Sequence, residues 1–156
     1  MKLPKVAQKF LFNAGLPNSA APGLKFVSHG KGGLSKITEL FREYPVGEEL
    51  IYMGITGEGD LVCVLEGSGM VISLDHEDGK RIQFINSSIP QLAECLLVYS
   101  EFGKQVRIAN GQMAFVKRNA PSELLDTLIN DFQSIDKDVF NGDSFWTEEL
   151  SWFTDK

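Results

Sequence analysis

The chain has 156 residues, of which 43% are hydrophobic and 23% are charged, and its formal net charge at pH 7 is −6. This is the composition of an ordinary globular protein, and the length predicts a single domain over residues 1–156. The acidic balance argues against a nucleic-acid partner, because phosphate contacts need lysine and arginine, and no apolar run approaches the roughly 20 residues of a membrane span.

The first predicted elements are a helix and a short strand. Apolar residues recur at helical spacing over residues 3–14, and Gly15 and Pro17 end this helix. Residues 18–23 are predicted to be a loop, and residues 24–28 are predicted to be a strand. The first residues lack the apolar core and small-residue cleavage site of a signal peptide, so we expect a cytoplasmic protein.

A glycine-rich stretch then precedes a second short apolar pattern. Gly30-Lys31-Gly32-Gly33 lacks the upstream glycine of a phosphate-binding loop, so we interpret it as a loop without a ligand. Residues 37–44 predict a short helix that ends at Pro45, with a strand as the alternative.

Four strands of a central antiparallel meander are predicted next. The first and third of them alternate apolar and other residues, and the fourth carries Ile82, Phe84 and Ile85. Residues 61–65 are apolar throughout, which predicts a strand covered on both faces. Turn residues separate the strands, among them the tight-turn dipeptide Asp78-Gly79. The strands fall at residues 51–55, 61–65, 70–74 and 82–85.

A capped helix follows the last strand. Ser88 is the predicted N-cap, Gln91 completes a capping box three residues later, and Pro90 lies in the first turn, where no N–H is needed. The apolar face of this helix comprises Leu92, Cys95, Leu96 and Tyr99.

Two further helical segments complete a predicted α+β fold. Asn110-Gly111 ends the capped helix, residues 124–135 predict a long helix, and residues 145–153 predict a last short element. The expected architecture is therefore a central antiparallel meander flanked by N-terminal and C-terminal helices, with a mixed sheet left open.

Catalysis and metal binding find little support in the sequence. Asp75-His76-Glu77-Asp78 contains metal-ligand types, but neighbouring strand residues point to opposite faces, so a solvated hairpin turn is favoured. Cys63 and Cys95 lie in apolar patterns, which favours buried, reduced thiols. No partner that would orient His76 or His29 as a base is identifiable. We therefore predict no enzyme activity, no metal and no cofactor.

The last element mixes aromatic and acidic side chains. Its aromatic residues are interpreted first as core, and partner contact is the second interpretation, because tryptophan dominates binding hot spots. Trp146 and Trp152 are six residues apart and need not face the same way, so one of them is expected to be partly exposed.

Many of these segments occur together in a recognisable order. They are Phe10-Leu11, Gly15-Leu16-Pro17, Ala20-Ala21-Pro22, Leu24-Lys25-Phe26, Met53-Gly54, Leu61-Val62-Cys63-Val64, Val71-Ile72-Ser73-Leu74-Asp75-His76-Glu77, Phe84-Ile85-Asn86-Ser87-Ser88, Gln91-Leu92-Ala93-Glu94-Cys95-Leu96 and Phe145-Trp146. Together they resemble the SUKH superfamily, and within it the fourth bacterial immunity-protein group. The match covers nearly the whole chain, the Asn-Ser-Ser block is its most specific part, and residues 104–143 match only as helix plus connector.

The resemblance implies an immunity protein of a bacterial polymorphic toxin system. Such a protein binds a toxin, of nuclease or nucleic-acid deaminase type, and inactivates it in the cytoplasm. An acidic inhibitor would complement the cationic cleft of such a toxin and would speed association. The alternative is a regulatory or scaffold module, like the Smi/Knr regulators of yeast cell-wall synthesis in the same superfamily.

The candidate partner contacts are mainly acidic and aromatic side chains. For Asn86 and Ser87 the first hypothesis is structural, with their side chains bonding backbone groups freed where the strand ends. Partner binding by Asn86 is the alternative. The full candidate set is Asp75, His76, Glu77, Asp78, Asn86, Trp146, Glu148, Glu149 and Trp152.

Overall fold

A computed structural model describes residues 3–27, 49–77 and 81–154 of the chain. The predictions made for residues 29–45 and for the Asp78-Gly79 turn lie outside this part of the chain. In chain order, the described elements are α1 (Lys5–Asn13), β1 (Ser19–Ala20), β2 (Leu24–Phe26), β3 (Leu50–Ile55), β4 (Leu61–Leu65), β5 (Val71–Leu74), β6 (Ile82–Asn86), α2 (Ile89–Asn110), α3 (Ser122–Ile135) and α4 (Phe145–Thr154).

The strands form one six-stranded sheet whose spatial order is the chain order, β1-β2-β3-β4-β5-β6. Every neighbouring pair is antiparallel, which confirms the predicted meander, and the described strands show no mixed pairing. The four predicted meander strands are extended to six because β2 pairs with β3 and β1 pairs with β2. The prediction of a loop over residues 18–23 missed β1, a strand of only two residues.

Both faces of β4 are buried, as its continuous apolar run predicts. Val62 and Val64 belong to the larger core, which includes the buried faces of the helices. Leu61 and Cys63 belong to a smaller cluster that contains residues of β3 and β5 as well. Successive side chains of a strand point to opposite faces, so the two clusters lie on opposite sides of the sheet.

The start of α2 confirms the predicted cap. The hydroxyl of Ser88 accepts a hydrogen bond from the Gln91 backbone N–H at 3.3 Å, and Pro90 lies in the first turn. The Gln91 side chain departs from the predicted capping box. It accepts from the Ser88 hydroxyl at 2.7 Å and donates to the Ile135 carbonyl at 3.0 Å. Gln91 therefore ties the start of α2 to the end of α3.

Aromatic side chains hold the last three helices together. The Trp146 ring of α4 lies 4.7 Å from the Phe132 ring of α3 and 5.4 Å from the Tyr99 ring of α2, between centroids. All three residues are fully buried. Edge-to-face and tilted contacts of this kind add to the stabilisation that burial alone supplies. This packing fixes α4 against α2 and α3 and determines where its exposed face points.

Candidate functional site

The predicted acidic turn follows β5 and lies beside the turn between β3 and β4. The ring nitrogen Nδ1 of His76 is 2.7 Å from Oδ1 of Asp60, and the His76 backbone N–H donates to the same oxygen at 3.2 Å. The hydrogen bond to Asp60 raises the pKa of His76, and the charges of Asp60, Glu77 and Asp75 raise it further. The Asp75 carboxylate accepts from the Glu77 backbone N–H at 2.7 Å. Asp78 lies outside the described residues.

The structure supplies an orienting partner for His76 that the sequence did not identify. Asp60 precedes His76 by 16 residues, so no local pattern links them. Leu61 pairs with Leu74 in the antiparallel register of β4 and β5, which brings the two adjoining turns together. The other histidine, His29, lies outside the described part of the chain.

The two cysteines are buried, free thiols, as predicted. Burial raises the pKa of Cys63 to about 12 and that of Cys95 to about 12. Each is therefore protonated at neutral pH, and a protonated thiol is a poor nucleophile. Within the described residues no group of three or more metal-binding side chains is present. None of the helices described is both long enough and apolar enough to span a membrane.

Glu148 joins α4 to the edge strand β6. Its carboxylate oxygen Oε2 accepts a hydrogen bond from Gln83 Nε2 at 2.7 Å and lies 3.4 Å from Nη2 of Arg81. Gln83 also donates to the backbone carbonyl of Asp143 at 3.1 Å. The Glu148 side chain remains 48% exposed, so it can contact a partner while it holds α4 in place.

The next residue, Glu149, has a more enclosed environment. Its carboxylate accepts from the Tyr99 hydroxyl and forms an ion pair with Arg118, and only 12% of its side chain is exposed. Burial raises the pKa of Tyr99, and the neighbouring Glu149 charge raises it further. The Arg118 guanidinium also lies 5.0 Å from the centre of the Phe153 ring. Glu149 thus fastens α4 to α2 and to the segment that follows α2.

The two tryptophans of α4 occupy opposite environments. Trp146 is fully buried, whereas Trp152 is 59% exposed. Six residues correspond to about 600° along an α-helix, which places the two rings on different faces. The expectation that one of the pair is exposed is therefore confirmed.

Trp152 forms one side of a concave surface, which we term the carboxylate cleft. The cleft has a volume of about 100 Å³ and lies between the β3–β4 turn, β6 and α4. The described residues that line it include no lysine or arginine. Its lining is Pro22, Thr56, Gly57, Glu58, Asp60, Gln83, Phe145, Glu148, Glu149 and Trp152.

The cleft brings together part of the predicted set. Glu148, Glu149 and Trp152 line it directly, and His76 adjoins it through its bond to Asp60. The sequence did not predict Glu58 and Asp60 as site residues, because the Gly57-Glu58-Gly59-Asp60 segment indicates only a hairpin turn. Their carboxylates become part of a site only through the docking of α4, more than 80 residues later.

Asn86 and Trp146 lie in a separate, buried polar cluster. The Asn86 amide accepts from the Trp146 indole N–H at 3.0 Å and donates to Oδ2 of Asp136 at 3.0 Å. Ser87 donates to the same carboxylate, through its backbone N–H and its hydroxyl, at 2.7 Å each. The hypothesis that Asn86 and Ser87 bond freed backbone groups needs correction, because their shared partner is the Asp136 side chain. Both Asn86 and Trp146 are fully buried, so neither is available to a partner in this conformation.

A six-stranded antiparallel sheet backed by helices, with an exposed tryptophan beside a carboxylate cleft, defines a small α+β protein with a concave acidic surface. The family model described as SUKH-4 immunity protein matches residues 1–153, and the chain belongs to this family. The resemblance found in the sequence is confirmed, and membership supports the role of an immunity protein, whose partner is a toxin protein. No curated protein and no solved structure matches the chain.

Proposed function

We propose that this protein neutralises, in the cytoplasm, a toxin that acts on nucleic acid, and that it does so by occupying the toxin with its carboxylate cleft. The single observation that carries the proposal is the exposed Trp152 ring beside four carboxylates in one concave surface. Neutralisation by occupancy requires affinity and no chemical step. The protein is therefore proposed to act without enzyme activity.

The charge of the cleft fits a cationic partner. Arg81 and Arg118 pair with Glu148 and Glu149, and His76 bonds to Asp60, so the surplus negative charge of the cleft resides mainly on Glu58. A toxin that binds nucleic acid presents lysine and arginine to the phosphates. Opposite potentials speed the encounter of two proteins and fix their relative orientation.

Trp152 supplies the apolar contact that the carboxylates lack. A tryptophan that is 59% exposed still has a large apolar surface to bury in a complex. Its ring also attracts an arginine or lysine placed over its face. We propose that Trp152 is the central contact and that Glu58 and Glu148 contact the partner around it. The turn after β5, which lies next to Asp60, is proposed to form the edge of the interface, with contacts from Asp75, His76 and Glu77.

The test uses a candidate toxin domain, taken from a gene that neighbours this one and made inactive by substitution, and measures its affinity by calorimetry. Trp152→Ala is expected to weaken binding by about 2 kcal/mol, or roughly 30-fold in Kd, because an interface tryptophan is a typical hot spot. Ile108→Ala is the control, since Ile108 is 77% exposed and does not line the cleft. Both variants are expected to keep the melting temperature of the parent protein.

Charge reversal tests the electrostatic part of the proposal. Glu58→Lys is expected to slow association and to weaken binding by up to about 1 kcal/mol, because exposed charge pairs are individually weak. Glu58→Lys combined with Glu148→Lys is expected to weaken it further and to reduce its dependence on salt. Affinity that is unaffected by both salt and Trp152→Ala would refute the proposed surface. Lost protection with unchanged toxin affinity would refute occupancy and indicate a chemical step.

A further inference from the structure

A second concave surface lies on the outer side of α2, around one exposed leucine. Leu97 is 72% exposed, although it lies in the middle of the helix. A cavity of about 670 Å³ adjoins it toward α1 and β1, and cavities of about 410 Å³ and 190 Å³ lie between α2 and α3. The first two cavities share Glu94 and Leu97, and the second and third share Val98 and Asp131. We term this continuous surface the α2 groove.

Small side chains create the largest part of the α2 groove. Ala14, Gly15, Ala20, Ala21 and Ala93 leave the space between α1, the strand β1 and α2 unfilled. The exposed lining of this cavity is therefore mostly apolar, and Leu97 forms the ridge between it and the two smaller cavities.

The charges along the groove have one sign. Glu94, Glu101 and Asp131 line it, and the described residues that line its three cavities include no lysine or arginine. Lys104 lies 3.7 Å from Glu101 and offsets one of these charges. An occupant must therefore combine apolar side chains with positive charge.

We propose that the α2 groove docks an amphipathic helix of another protein, apolar on one face and bearing lysine or arginine beside that face. An exposed ridge residue with a groove on either side is the geometry into which a second helix packs. The docked helix crosses α2 at Leu97 and places apolar side chains, three or four residues apart, in the cavities on both sides. Its cations then meet Glu94, Glu101 and Asp131. The inference goes beyond the proposed function, because the α2 groove and the carboxylate cleft share no lining residue.

A helix from another protein fits this surface better than the other occupants. A compact ligand fills one pocket and would leave the cavities beyond the Leu97 ridge empty. Among the helices that the structure describes, a second copy of the chain could offer only α1 as a cationic helix, with Lys5 and Lys9 beside the exposed Phe12. Phe10 and Ala14 of α1 already line the groove, so that arrangement would bring the lysines of two copies together.

The probe is a fluorescein-labelled helical peptide of about 16 residues, or roughly four turns, with leucines at i, i+3, i+4 and i+7 and lysines beside them. A scrambled peptide of the same composition is the control for charge alone. Fluorescence anisotropy is expected to show binding of the amphipathic peptide and at least about tenfold weaker binding of the scrambled one. Equal binding of the two peptides would overturn the proposal.

Matched variants locate the peptide on the surface. Leu97→Asp is expected to weaken binding at least about tenfold, whereas Ile108→Asp, an equally exposed position of α2 outside the groove, is expected to leave it unchanged. Ala93→Trp fills the largest cavity without a change of charge and is expected to weaken binding as well. Trp152→Ala is expected to have no effect, so failure of this proposal is distinguishable from failure of the proposed cleft.

Two results would assign the surface differently. Unchanged peptide binding by Ala93→Trp and by a folded Leu97→Asp would overturn the docking site. Self-association of the parent protein in sedimentation, abolished by Leu97→Asp, would assign the surface to a second copy and overturn the proposed occupant. Ala93→Trp alone decides the matter if Leu97→Asp fails to fold.

Discussion

Replacing Asp136 by asparagine is expected to destabilise the protein by about 2–4 kcal/mol, as worked out from the hydrogen bonds of its carboxylate. The Asp136 side chain is buried, and Oδ2 accepts from the Asn86 amide at 3.0 Å and from the Ser87 backbone N–H at 2.7 Å. Oδ1 accepts from the Ser87 hydroxyl at 2.7 Å and from the Asp138 backbone N–H at 3.2 Å. Asparagine can present an accepting oxygen at only one of these two positions.

The least costly orientation places the new NH₂ group where Oδ1 was. The Ser87 hydroxyl can rotate and accept from it, but the Asp138 N–H then loses its acceptor, at about 1–3 kcal/mol. The bonds that Asn86 and Ser87 still make change from charge-assisted to neutral, which weakens each by about 1 kcal/mol. Removing a buried charge offsets part of this loss. The balance gives the expected 2–4 kcal/mol.

Urea unfolding followed by tryptophan fluorescence measures this change, because Trp146 bonds to Asn86 in the same cluster. The urea concentration at the midpoint of unfolding is expected to fall, and the dependence of the unfolding free energy on urea concentration is expected to stay unchanged. Asp126→Asn, at an exposed position of α3, is the control and is expected to change stability by less than about 0.5 kcal/mol. An Asp136→Asn protein as stable as its parent would refute the reasoning, since burial of the charge would then cost as much as its hydrogen bonds contribute.

Two further predictions follow from the described contacts. Trp146→Phe leaves the buried Asn86 oxygen without its indole donor, which is expected to cost about 1–3 kcal/mol in thermal unfolding while the folded variant keeps its toxin affinity. An unchanged melting temperature would contradict this. Asp60→Asn is expected to lower the pKa of His76 in an NMR titration, because the hydrogen bond to Asp60 is the main cause that raises it. The pKa of His76 in the folded protein lies above its unfolded value of about 6.5. The Asp60–His76 pair therefore stabilises the fold fully below that unfolded pKa, and this stabilisation is lost as the pH rises through the raised pKa.

The sequence alone predicts those parts of the molecule that depend on residues close together in the chain. Ser88 and Pro90 mark the start of α2 because a cap and a first-turn proline act within four residues. Residues 61–65 predict a doubly covered strand because side chains of one strand alternate between faces, and the structure buries both faces. Trp152 is expected to differ from Trp146 because helical geometry separates their directions.

Contacts between distant segments were beyond prediction. Asp136 lies 50 residues after Asn86. An aspartate at the end of a predicted helix is normally interpreted as an exposed residue, so nothing in the sequence indicates that this one is a buried partner of Asn86. The bond between Asp60 and His76 depends on the register of two strands, which no residue near either one specifies. The strand β1 has only two residues, too few for an alternating pattern to be recognised.

The agreement between chain order and spatial order in the sheet has a consequence for the sequence of folding events. Each strand pairs with its neighbour in the chain, so the part of the sheet from β3 to β6 can assemble by successive short-range closures, which are rapid. The pairing of β2 with β3 spans a longer segment, since Lys25 pairs with Ile55. The carboxylate cleft instead needs α4 to dock on β6, and the Gln83–Glu148 bond at this junction spans 65 residues. Closing so long a loop is slower. A chain with a finished sheet therefore has no carboxylate cleft until α4 docks, and toxin binding through this cleft, as proposed above, would require that late step of folding.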